Sequence, residues 1–177
     1  MKFIHPKRLL ILSLLLTTFY RASSQSICID SILIDGSITK YMKYIDFINT
    51  GIKIDSITSA KPMDSNDPDS IIYVGSSVFW YDSKRGTCDA KSIWFDKIST
   101  LLLGKYSVNK STSHYDLRKI FPMDCKSTRP VKIYKHEGIL QRCSIPVRDK
   151  KGQLWDMQII LFLKDDSLIR VDFWEPM

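Results

Sequence analysis

Apolar and polar positions alternate with two different periods along this chain, and the changes of period predict its elements. After "DGSIT", where Ser37 or Thr39 can cap, Tyr41, Tyr44, Ile45 and Ile48 recur at i, i+3, i+4 and i+7 until Asn49-Thr50-Gly51. That spacing predicts a helix with one apolar face. Residues 60–70, "AKPMDSNDPDS", carry two prolines among small polar and acidic turn formers and predict an exposed loop. Strand-like runs follow at Ile71–Val74, Val78–Tyr81, Ala90–Asp96 and Thr100–Val108. A second, shorter helix is predicted by "STSHYDLRKIFP", with Thr112 or Ser113 as cap, Leu117, Ile120 and Phe121 on one face, and Pro122 ending it. Strands resume at Val131–Tyr134, Ile139–Val147, Leu154–Leu163 and Leu168–Phe173, the last two joined by "KDDS" as a hairpin.

Each half therefore runs helix, loop, then about four antiparallel strands. The fold class expected is α+β, a short helix plus an antiparallel four-stranded meander in each unit, with units at 25–109 and 110–177 behind a leader at 1–24. A tandem duplication and a single sheet whose order merely looks repeated are both open.

That order, with "YDLRKIFP" opening the second unit and "LFLKDDSLIRVDFWEP" closing it, resembles exported proteins of Gram-negative bacteria thought to use modules like those of the β-lactamase inhibitor proteins. The small outer-membrane assembly lipoproteins use the same kind of module. The likeness covers most of residues 30–176 and its motifs are short and structural. It implies a binding or scaffolding role and carries no catalytic residues over.

Composition agrees with a sheet-rich fold. The 23 isoleucines, eight tyrosines and eight phenylalanines stand against three alanines and two glutamates, and β-branched and aromatic side chains suit a pleated surface.

The first residues set the compartment. Lys2, Lys7 and Arg8 form a positive n-region, Leu9 to Phe19 an apolar stretch, and Ala22-Ser23-Ser24 supply small residues for a cut after Ser24. The stretch is too short to span a bilayer, which needs roughly 18–20 apolar residues. The expectation is a secreted or periplasmic chain with no stable membrane anchor. Lipidation of Cys28 needs a small residue directly before it, and Ile27 stands there.

Removing the leader also removes four of the basic residues, which takes the formal charge from +7 to +3. The remaining charges are interleaved, so a nucleic-acid partner is not expected. Cys28, Cys88, Cys125 and Cys143 are an even set in an exported chain and imply two disulfides with three possible pairings. Cys125 and Cys143 flank one strand pair, which favours Cys125–Cys143 within the second unit and Cys28–Cys88 tying the N-terminal segment to the first. No C-x-x-C spacing suggests zinc, and no cofactor or metal is expected.

Catalytic patterns are missing. Behind the leader the only histidines are His114 and His136, neither in H-E-x-x-H, and there is no G-x-S-x-G. Asp64, Asp67, Asp69, Asp165 and Asp166 read as turn formers rather than cation ligands. The aromatic residues carry the positive signal. Phe79-Trp80-Tyr81, Trp94-Phe95 and Phe173-Trp174 send large rings to both faces of their strands. Trp80, Trp94 and Trp174 are the candidate anchors, because an indole keeps a polar N–H for a wet surface. The function expected is non-enzymatic binding or scaffolding toward a protein or cell-envelope partner. The alternative is a small secreted hydrolase using His114 or His136 with a nearby aspartate.

Overall fold

The structure, a computed structural model, describes residues 26–61, 67–133 and 136–176. The expected leader at 1–24 and Asp64 lie outside these residues. Strands take up 49% of the described residues and helices 11%. The chain runs β1 (Ile27–Cys28), a 3₁₀ turn (Ile29–Ser31), β2 (Ile32–Ile34), β3 (Ile38–Thr39), β4 (Tyr41–Lys43), α1 (Tyr44–Asn49), β5 (Ser56–Ser59), β6 (Ser70–Val74), β7 (Ser77–Asp82) and β8 (Thr87–Trp94). It continues through β9 (Leu101–Leu103), β10 (Tyr106–Val108), α2 (His114–Ile120), β11 (Arg129–Val131), β12 (Leu140–Arg148), β13 (Leu154–Lys164) and β14 (Ser167–Trp174).

The α+β expectation of a helix and a four-stranded meander in each half is overturned. The molecule is mostly β: a mixed ten-stranded sheet and a four-stranded antiparallel sheet. The larger sheet runs β1-β12-β13-β14-β8-β7-β6-β5, with β11 beside β12 and β4 beside β8. The smaller runs β10-β9-β2-β3. The halves do not keep separate sheets. Val171 pairs with Ile93 and Ile27 pairs in parallel with Val147, so strands from both sides of residue 110 share one ladder. One apolar cluster likewise runs from Ile27 to Phe173.

The later strands form where long Ile- and aromatic-rich runs meet turn residues. Asp165 and Asp166 take φ of 49° and 64°, so "KDDS" closes β13–β14 with two left-handed residues, as hairpin twist requires. The second helix follows its sequence signal closely. Ser113 caps α2 in a box with Asp116, the Ser113 hydroxyl accepting from the Asp116 N–H while the Asp116 carboxylate accepts from the Ser113 N–H. Leu117 and Phe121 are fully buried.

The first helix differs. It covers only Tyr44–Asn49, and its buried residue is Phe47, packed on Phe79 with ring centroids 5.0 Å apart. Ile45 and Ile48 face solvent. The reason is a competing backbone partner: Tyr41–Lys43 pairs with Thr87–Asp89 as a strand, leaving one turn and a half for the helix.

Candidate functional site

The larger sheet has one face on the core and one outside, and its register sorts the aromatic residues between them. On β7, Phe79 is buried opposite Ala90, and the next residue, Trp80, stands opposite Asp89 on the outer face, 39% exposed. On β14, Phe173 is buried and Trp174 exposed. Trp94 pairs with Arg170, Asp172 with Ser92, and Ser92 with Val78. Because Arg170, Asp172 and Trp174 alternate along β14, and Val78 and Trp80 along β7, Trp80, Trp94 and Trp174 all belong to the outer face.

They do not share one environment. The Trp94 ring is half-buried, stacked on the His136 imidazole at 5.7 Å between centroids, with the Arg170 guanidinium 5.2 Å from its centroid. Arg170 also lies 5.5 Å from the Phe162 ring and donates to both Asp172 carboxylate oxygens at 2.6 and 2.7 Å. Trp94 is thus part of a packed stack over the small apolar cluster of Leu140, Ile160 and Phe162 rather than a free anchor.

Trp80 opens onto a different arrangement. Asp89 is paired in register with Trp80 on one side and Tyr41 on the other, so three adjacent strands present Trp80, Asp89 and Tyr41 in a row. A cleft of about 120 Å³ lies between Trp80 and Tyr41, walled by Asp82, Arg85 and Thr87. A second, about 230 Å³, lies on the other side of Tyr41 against Trp155, Asp156 and Glu175. The Tyr41 and Trp155 centroids are 6.2 Å apart. Tyr41 and Trp155 are both exposed by more than two fifths.

A charged network fixes this floor. The Lys40 ammonium, 1% exposed, pairs with Asp89 and, at 3.2 Å, with Glu175. Lys91 pairs with Asp89 at 2.6 Å and Glu175 at 3.2 Å and lies 4.4 Å from the Trp80 centroid. The Tyr41 hydroxyl donates to Glu175 at 2.5 Å. Burial pulls the Lys40 pKa below its ordinary value, against the pull of Asp89. Burial, with the Glu175 hydrogen bond, pushes Tyr41 up. Burial works against the Glu175 carboxylate, yet Tyr41, Lys40 and Lys91 together hold its carboxyl below the usual range. The rings therefore stand on strands whose charges are mutually paired. Such a surface offers flat apolar faces beside satisfied carboxylates, which suits recognition.

The histidines are engaged elsewhere. His114 Nε2 lies 3.0 Å from the Cys125 carbonyl, which can only accept, so this nitrogen carries the proton. Among the described residues no carboxylate bonds either imidazole ring, and no group of three or more His, Cys, Asp and Glu could hold a metal ion. Asp69 accepts from the Ser83 N–H at 3.0 Å and from its hydroxyl, a turn role.

Cys125 and Cys143 are bridged, with Cα atoms 5.3 Å apart. The expected Cys28–Cys88 bridge is a correction: both are free thiols. Cys28 ends β1 beside Arg148, whereas Cys88 is buried in β8 between Met42 and Tyr81. The N-terminal segment is tied to β12, not to the strand that carries Cys88.

Trp80 was legible in sequence as an alternation signal. Tyr41 and Trp155 were not, because Tyr41 sat in an apparent helix face and Trp155 in a run whose pairing the sequence does not print. No family model, no curated protein and no solved structure matches this chain.

Proposed function

We propose that this chain is a secreted or periplasmic binding protein, without chemistry of its own, that recognises a protein or cell-envelope partner through the ring-lined groove around Tyr41. The observation that carries this reading is the in-register row Trp80–Asp89–Tyr41, continued by Trp155, in which large rings stay exposed on paired strands. Exposed Trp and Tyr on a rigid support lose little entropy on binding and commonly dominate interface energies. No segment among the described residues competes for these rings. The hydrolase alternative gains nothing from the imidazoles of His114 and His136, which have no carboxylate partner among the described residues.

The test is photo-crosslinking in the cells that make the protein, from a benzophenone amino acid at position 155 and, as control, at the exposed Ile57 of β5. A discrete product from position 155, absent from position 57 and lost when Trp80→Ala is added, supports the groove. Equal products from both positions, or none from 155, refute it.

A further inference from the structure

A second site lies on the same outer face of the larger sheet, toward the edge where β11 meets β12: Arg142 pairs with Phe162, Phe162 with Arg170, and Arg170 with Trp94. Arg129 and Arg142 are directly opposite each other in the antiparallel register. Opposed residues hold their Cβ atoms about 5 Å apart, and like charges so placed destabilise a strand pair. Ordinarily an acid intervenes. Here neither guanidinium has an ion pair or side-chain hydrogen bond among the described residues. Both line a cavity of about 420 Å³ whose walls also carry the hydroxyl residues Ser127 and Ser144 and the amide of Gln158. Asp124, also on the wall, already has a partner of its own. The notch falls where β12 lacks a neighbouring strand, between Arg142, paired with β11, and Val147, paired with β1. The Cys125–Cys143 bridge braces its rim.

We infer that this notch binds a tetrahedral oxyanion, a phosphate or sulfate group, held between the Arg129 and Arg142 guanidiniums. A planar fork of donors matches such a group bidentately, and the anion supplies the countercharge that the two opposed forks lack. The serine hydroxyls and the Gln158 amide add neutral donors to the remaining oxygens. The cavity has room for more than the anion, so the group can be free or the end of a larger ester. This site is independent of the ring-lined groove, and either can fail without the other.

The experiment is a thermal-melt titration of the bridged protein with sodium phosphate, sodium sulfate and glucose 6-phosphate, at ionic strength held constant with sodium chloride. Saturable rises in melting temperature with phosphate or sulfate are expected. Arg142→Gln and Arg129→Gln should each weaken the apparent affinity at least tenfold, and Lys150→Gln on the surface should not change it. Arg142→Lys keeps the charge and stem but not the fork, and should weaken it several-fold even if the glutamine variants fold poorly. A tighter response to glucose 6-phosphate than to free phosphate would assign the site to ester-borne groups; an equal one, to the anion itself. Melting curves that respond to chloride and phosphate alike, or Arg142→Lys binding as the unaltered chain does, would overturn the inference.

Discussion

Lys40 and Asp89 form an ion pair in which the ammonium is almost wholly enclosed while the carboxylate keeps about a fifth of its surface in solvent. The asymmetry predicts unequal costs. Asp89→Asn strands a buried cation with Glu175, at 3.2 Å, as its one remaining acid among the described residues, and should cost about 3 kcal/mol, the lower end for a broken buried pair. Lys40→Met removes the charge and keeps the stem, while Asp89 retains Lys91 at 2.6 Å, and should cost less than about 1 kcal/mol. Urea denaturation of both variants checks the order, and equal costs would contradict the burial argument.

Thiol chemistry separates the four cysteines. In the folded, unreduced protein Cys28 should alkylate, Cys88 should react only after unfolding, and Cys125–Cys143 should be recovered as one linked peptide pair. Burial, with the Asp89 charge, pushes the Cys88 thiol up to about 11 from 9.0. The folded chain then holds a proton that the unfolded chain releases between these values, so this contribution is fully present below pH 9.0 and lost as pH rises toward 11. Relative to Cys88→Ala, the stability of the unaltered chain should fall across that window; a constant difference would contradict the shift. Replacing Cys125 and Cys143 together by serine should cost about 3 kcal/mol, the loop-closure value for their spacing.

Much of the sheet was legible and most of its wiring was not. β6, β7, β8, β12, β13 and β14 announce themselves because their apolar runs are long and bounded by Gly75, Asp165-Asp166 or polar loops. The strands from Ile27 to Ser59 have two to four residues each, too short for alternation to show, and they exist because longer strands pair with them. Tyr41, Tyr44, Ile45 and Ile48 mimic a helix face, yet Tyr41 is claimed by β8 and the helix buries Phe47 instead. The site is opaque for the same reason. Glu175 reaches Lys40 across 135 positions, and Arg129 meets Arg142 only through register, which depends on distant pairing and not on local pattern.

Gly75 illustrates a tight approach that only glycine allows. It turns β6 into β7 with φ of 60°, and a Cβ there would stand 2.6 Å from the Asp96 carboxylate, which accepts from the Ser76 N–H at 2.8 Å. Gly75→Ala should therefore cost about 1–3 kcal/mol, from the left-handed backbone and the displaced carboxylate together. Asp96→Ala relieves the contact but also removes the turn's acceptor. The double variant should then be less destabilised than the sum of the singles, which a double-mutant cycle by urea denaturation measures.

The sharpest contrast lies between two tryptophans, Trp94 of β8 and Trp155 of β13. Trp94 is held in the stack of His136, Arg170 and Phe162, and truncating it removes ring packing from a half-buried position and leaves the Nδ1 of His136, already buried without a partner, beside a void. Trp94→Ala should cost about 3 kcal/mol or more, as for a core ring. Trp155 is 44% exposed and its ring stands 6.2 Å from that of Tyr41, so Trp155→Ala should stay within about 1 kcal/mol of the unaltered chain. Crosslinking to a partner should show the reverse order. With the probe placed at Tyr41, Trp155→Ala should abolish the product, while Trp94→Ala, assayed below its lowered melting temperature, should leave it intact. A Trp155 variant that melts as low as the Trp94 variant would mean that its ring is structural. The groove would then lose the feature that marks it as a binding surface.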